Sequence, residues 1–171
     1  MILVSACLAG EKCNYRGRGR TKHEVAELVR AGIAIPVCPE VLGGLPTPRS
    51  GAKILSKGTN LDGNAVLDGK TIVITEDGHD VTKNYVEGAQ MVLKLAQQKN
   101  ITEVYLNQYS PSCGHGKTLG GDQNCRKYVS GDGVTTALLR RNGIKILTIA
   151  KLRKLCETIP EKKKDTLLDY F

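Results

Sequence analysis

The chain contains no tryptophan and a single phenylalanine, and aromatic residues fill only 4% of its 171 positions. Its core must therefore be aliphatic. Long apolar runs are missing as well: nothing approaches the roughly 20 apolar residues that a membrane span requires. Met1-Ile2-Leu3-Val4 has no basic flank, extended apolar segment or small-residue cleavage site, so it reads as a buried first strand, and a cytoplasmic location is expected. No Cys-x-x-Cys pair occurs, which removes the two-knuckle grip of zinc ribbons and fingers. A Gly-x-x-x-x-Gly-Lys-Ser/Thr segment is also absent, which argues against a phosphate-loop NTPase.

What remains is close to a globular average, with 40% hydrophobic and 25% charged residues, in a length suited to one domain with one substantial core. The formal charge is +8, from 25 Lys and Arg against 17 Asp and Glu. Such an excess attracts anions and nucleic acid at long range. It is concentrated in Arg16, Arg18, Arg20 and Lys22 and in Lys151, Arg153, Lys154, Lys162, Lys163 and Lys164. The first stretch has no interleaved aromatics and the second falls on a C-terminal helix and tail. A solvated face is thus the preferred reading, with nucleic acid as the minority one.

The apolar pattern predicts a strand over Ile2–Ala6, a helix from about Thr21 to Ala31 with a Thr21/Glu24 capping box and Gly32 as its stop, and a parallel strand over Ile33–Val37. The stretch from Pro39 to Gly51 is too rich in Pro and Gly for a helix and reads as a functional loop. Short β-branched runs between Lys53 and Asp80, punctuated by Asp-Gly pairs, predict a small antiparallel excursion. Then come the longest helix, about Thr82–Lys99, a strand over Ile101–Asn107, and an irregular polar stretch to about Val129. A helix at Val134–Arg141, a strand at Ile144–Ile149 and a last helix at Ala150–Thr158 complete the chain.

Three of the 6 cysteines fall where different apolar strands run out: Cys7 after Ile2–Ala6, Cys38 after Ile33–Val37, and Cys113 in Ser110-Pro111-Ser112-Cys113-Gly114. In a parallel α/β sheet those strand ends line one crevice. Reduced thiols meeting there can serve as metal or cluster ligands, nucleophiles or small core residues, and spacing alone leaves these open. Cys156 shares an apolar helical face with Leu152 and Leu155 and reads as core, whereas Cys125 lies in a polar loop. Glu40 follows Cys38 by two residues and is placed to shuttle protons. Ser110 and Ser112 can donate to a developing anion or satisfy a turn. Gly131-Asp132-Gly133 resembles a weak anion-binding helix start, and His115 is incidental.

Val4-Ser5-Ala6-Cys7-Leu8, Cys38-Pro39-Glu40-Val41 with Gly43-Gly44-Leu45-Pro46-Thr47-Pro48-Arg49, Ser110-Pro111-Ser112-Cys113-Gly114 and Gly131-Asp132-Gly133-Val134-Thr135, taken in this order, resemble the thiouracil desulfidase family. The resemblance implies a single-domain, Rossmann-like three-layer α/β fold over 1–171, with a mainly parallel sheet. Residues 1–149 would form the desulfidase-like core and 150–171 a helix and basic tail. It further implies a [4Fe-4S] cluster on Cys7, Cys38 and Cys113, with Cys13 as the substitute if Cys7 is not a ligand. Glu40 and Ser110 would be the acid/base pair, and Thr47, Arg49, Ser112, Gly133 and Thr135 the substrate contacts. The expected partner is a small thiolated base, with a thionucleoside in RNA or a non-catalytic iron–sulfur sensor as alternatives and no membrane; the chain would be a monomer or homodimer. Two features depart from the family pattern: Cys13-Asn14-Tyr15-Arg16-Gly17 stands where Cys-Arg-Tyr-Asp-Gly is common, and Asn107 lies where a Lys is common.

Overall fold

A computed structural model describes residues 1–56, 61–122 and 125–160; the basic tail expected beyond residue 160 lies outside the described residues. Strand β1 (Ile2–Ser5) is apolar on both faces and buried throughout, the signature of a central strand in a parallel sheet. It is joined through a 3-10 turn (Ala6–Ala9) and helix α1 (His23–Arg30) to β2 (Ala34–Val37), which lies parallel to it with Ile2 opposite Ala34. The first half of the sheet is thus the expected βαβ unit. Gly32, at φ +73°, ends α1 as foreseen, and Gly32 and Ile33 amides return to the Val29 and Leu28 carbonyls. The capping box is not formed: Lys22 occupies the N-cap position and no side chain caps the helix.

β5 (Glu103–Tyr105) pairs parallel on the other side of β1, and β8 (Lys145–Ile146) extends the sheet to the order β2-β1-β5-β8. The chain therefore leaves β1 toward one edge and β5 toward the other. That is the topological switch point at which α/β proteins open a crevice. Helices cover both faces. Val25 and Leu28 of α1 meet Leu152 of α6 (Ile149–Glu157) on one side, while Val92 and Ala96 of α4 (Thr82–Gln98) meet Leu139 of α5 (Val134–Arg141) on the other. The three-layer arrangement is the expected one.

A second sheet is larger than the expected excursion. β3 (Ala52–Leu55) pairs antiparallel with β4 (Val73–Thr75) and parallel with β6 (Lys117–Gly121), which forms a hairpin with β7 (Lys127–Ser130). The last two strands fall in the stretch read as irregular. β7 is mostly exposed and β6 ends in two glycines, so neither shows an apolar period. α3 (Gly63–Leu67), which the pattern did not mark, begins with Asp62 accepting from the Asn64 amide at 3.0 Å.

The Pro39–Gly51 segment also departs from expectation, since it opens with a one-turn helix, α2 (Pro39–Leu42). Proline is tolerated at the first helical position because that N–H has no intrahelical partner. α2 sits directly on α4: a Cβ at Gly88 would lie 1.9 Å from the Pro39 carbonyl oxygen, and one at Gly43 would lie 2.0 Å from that of Asn84. Asn84 also donates to the Gly43 carbonyl at 2.7 Å. In an ordinary helix interior Gly→Ala stabilises by about 1 kcal/mol. Here the sign reverses, and Gly88→Ala is expected to destabilise by about 1–3 kcal/mol through overpacking. A thermal melt checks this, and an unchanged or higher midpoint would contradict the contact.

Candidate active site

At the switch point, the ends of β1, β2 and β5 frame a cavity of about 60 Å³ lined by Cys7, Cys13, Cys38, Cys113, Glu40 and Ser110, among others. Each side chain arrives by a separate local device. Cys7 rides on the 3-10 turn that closes β1, and its carbonyl accepts the Arg20 amide at 2.7 Å. Cys38 is the N-cap residue of α2, so the residue that ends β2 also starts the helix that presents Glu40. Cys13 comes from the loop after the 3-10 turn. Its carbonyl is held by Arg49 at 3.1 Å and approached by the Cys38 thiol at 3.7 Å.

Cys113 is secured by α5. The amides of Val134 and Thr135, in its first turn, bond to the carbonyls of Pro111 and Ser112 at 2.8 and 3.0 Å, and the Gly133 amide bonds to the Gly114 carbonyl. These are the donors that a helix start leaves free. The weak resemblance of Gly131-Asp132-Gly133 to an anion-binding helix start does not describe an open cradle, because the Gly131 and Gly133 amides bond to the Gly116 and Gly114 carbonyls and the Asp132 amide bonds to the Asp62 carboxylate. Ser112 and Thr135 are fully buried and share a hydroxyl–hydroxyl bond of 2.9 Å, and Thr136 donates to the Cys113 carbonyl at 2.9 Å. A Cβ at Gly133 would strike the Ser112 carbonyl. Ser112, Gly133 and Thr135, expected on the substrate, thus stand behind the wall and support Cys113. Thr47 is exposed, and its hydroxyl accepts from Arg49 at 3.2 Å.

Arg49 lines the cavity, but its donors are occupied by the Cys13 and Pro46 carbonyls, Thr47 and the Glu40 carboxylate. Both partners of the Arg49–Glu40 pair are buried, with side-chain exposures of 6% and 14%. Burial opposes the Arg49 charge, but the charge and hydrogen bond of Glu40 outweigh it and keep the guanidinium protonated. Arg49 takes Oε2 of Glu40 and leaves Oε1 outside this pair. Ser110 accepts the Cys113 amide at 2.7 Å, which leaves its hydroxyl proton able to donate.

The thiols are close neighbours. Cys13 exchanges hydrogen bonds with both Cys38 and Cys7. The Cys38 bond pulls the Cys13 thiol down, but Cys7 and burial overcome it and push it up to about 11. Cys38 is raised far above the ordinary thiol range, first by its bond with Cys13, then by burial and the Glu40 charge. Burial, then Glu40, lifts Cys113 to about 12. Without a metal these groups are neutral thiols, and a metal must displace their protons to bind. Among the described residues no three His, Cys, Asp or Glu side chains converge closely enough for one ion. Thiols distributed around a cavity instead match the separate corners of a polynuclear cluster.

The other cysteines stand apart. Cys156 is half-buried on α6 and donates to the Glu24 carbonyl at 3.5 Å, and Cys125 is exposed. His115 lies outside this cavity, its Nδ1 buried without a partner and its basicity lowered chiefly by burial. Ser5, Tyr15 and Asn107 also line the cavity, although the sequence assigned them no role and noted Asn107 and the stretch around Tyr15 only as departures from the family pattern. Ser5 accepts the Asn107 amide at 2.8 Å and so joins the ends of β1 and β5.

The 2-thiouracil desulfurase family matches residues 2–151. The chain is 40% identical over 155 residues to the uncharacterized protein YbbK of Bacillus subtilis (strain 168), covering 91% of this chain and 99% of that one. Among solved structures it is similar to the [4Fe-4S]-dependent thiouracil desulfidase TudS, with a TM-score of 0.73 and 37% identity over 90% of this chain and 93% of that one. Fold and sequence agree over nearly the whole length, and the chain belongs to the 2-thiouracil desulfurase family.

Proposed function

We propose that this protein is a [4Fe-4S]-dependent desulfidase that converts a 2-thiouracil-like pyrimidine and water into the oxo-base and hydrogen sulfide. The observation that carries the reading is the set of thiols from three strand ends around one cavity, with a carboxylate and a hydroxyl on the same wall. The donor set suits the cluster, since iron–sulfur clusters are held by thiolates. Cys7, Cys38 and Cys113 would hold it, with Cys13 next to Cys7 and Cys38 as the substitute. When bound, the cluster supplies a Lewis-acidic iron free of protein thiolate, which polarises the thiocarbonyl.

The remaining steps belong to the chain. Glu40, paired with Arg49, accepts a proton from water through the oxygen that Arg49 leaves free, as the water oxygen bonds to the thiocarbonyl carbon. The Ser110 hydroxyl donates to the negative charge that develops there. Glu40 then returns that proton to the sulfur as the C–S bond breaks, and the proton of the new hydroxyl follows through the same carboxylate, so that the carbonyl forms and both water protons leave on the sulfur. One water enters, one hydrogen sulfide leaves, and no electrons are transferred. The substrate in this reading is a free small molecule, in keeping with the family to which the chain belongs. All six cysteines are free thiols, the state a reducing cytoplasm maintains, and no helix among the described residues is long and apolar enough to cross a membrane. Anaerobic incubation with 2-thiouracil tests the reading: equimolar uracil and sulfide support it, and unchanged thiouracil overturns it.

A further inference from the structure

A second cavity, of about 130 Å³, adjoins the first, and Tyr15, Glu40, Asn107 and Ser110 line both. The chain has 6 tyrosines and no tryptophan, yet Tyr15, Tyr85, Tyr109 and Tyr128 all line this one space. A protein this poor in aromatics has placed four of its seven rings around one cavity, with Tyr85 buried beneath the others. Tyr109 and Tyr128 form its outer rim, with ring centroids 5.0 Å apart and planes tilted by 53°. Both are exposed, at 44% and 62%. Tyr109, which immediately precedes Ser110, adopts φ +72°, a left-handed backbone in which a bulky side chain is strained.

We propose that this antechamber is the ring-binding subsite of the reaction and that Tyr109 stacks on the heteroaromatic ring of the substrate, with Tyr128 backing it. The proposal rests on the desulfidase reading and adds the determinant of its ring specificity. A flat π-face is recognised by aromatic side chains without hydrogen-bond readout. The left-handed backbone at Tyr109 places the ring at the rim while Ser110 faces the thiols.

The test uses anaerobically purified holoenzyme, 2-thiouracil for turnover and uracil for calorimetric binding. Tyr109→Ala is expected to raise KM and the uracil Kd about tenfold with kcat changed less than threefold, and Tyr109→Phe to stay within about twofold of the parent. Tyr109→Gly removes the left-handed constraint. It is expected to weaken uracil binding like Tyr109→Ala while keeping at least the parental melting temperature, whereas a purely structural tyrosine would lower the melting temperature and leave KM unchanged. Turnover with an unaltered KM and Kd in Tyr109→Ala overturns the subsite. Absence of sulfide release from the parent, with uracil binding still dependent on Tyr109, leaves the subsite standing and removes the desulfidase activity instead.

Discussion

Cys38→Ala is expected to yield a colourless, folded protein that carries less than about a tenth of the parental iron after anaerobic purification. The residue closes β2 and opens α2, and its thiol faces that of Cys13 as well as the Glu40 carboxylate. Its removal takes one corner from a ligand set that has no second thiolate on that strand end. Folding should survive, because α2 has no side-chain cap to lose and Cys38 is only half-buried. Truncating such a group costs about 1–2 kcal/mol. Cys125→Ala, at an exposed position outside the cavity, serves as the control and should remain brown. The same measurement separates Cys7 from Cys13: the ligand variant loses iron, and the neighbour keeps it. A Cys38→Ala protein with full iron and colour would remove this residue from the cluster.

Glu40→Gln should behave in the opposite way, with cluster and colour retained and turnover reduced by about 10²–10⁴-fold, the range that a positioned acid/base group contributes. Glutamine keeps an acceptor oxygen for Arg49, so the loop bearing Thr47 and the Cys13 carbonyl stays anchored. It cannot take a proton from water. The change also leaves the buried Arg49 charge uncompensated, a loss of up to about 3–5 kcal/mol, so the assay pairs rate with iron content and a melting curve. Retained turnover in a protein of parental iron content would take Glu40 out of the mechanism. Loss of iron together with turnover would mean instead that the Arg49 pair shapes the ligand cavity.

Much of this was legible in the chain before folding. Apolar runs ending at Cys7, Cys38 and Cys113 mark strand ends, and the parallel βαβ rule sends strand ends to one edge. The cavity wall bears out that convergence residue by residue. The second sheet was less visible, because Lys117–Gly121 and Lys127–Ser130 gain their order from pairing with β3 and each other rather than from a local apolar period. Gly131-Asp132-Gly133 looked like a ligand cradle by local rules, and only the tertiary structure reveals that α5 directs its free amides to the cysteine loop. The same holds for the tyrosines. Nothing in the spacing of Tyr15, Tyr85, Tyr109 and Tyr128 indicates that they share a cavity, although the scarcity of aromatics made their placement informative once seen.

The claim on which the rest depends is that thiols from separate strands hold one polynuclear iron–sulfur centre. Iron and acid-labile sulfide determined on anaerobically purified protein test it most directly. The account predicts about four of each per chain, as a [4Fe-4S] cluster requires. A colourless protein with less than about one iron per chain after anaerobic reconstitution, or one holding a single ion without labile sulfide, would contradict it.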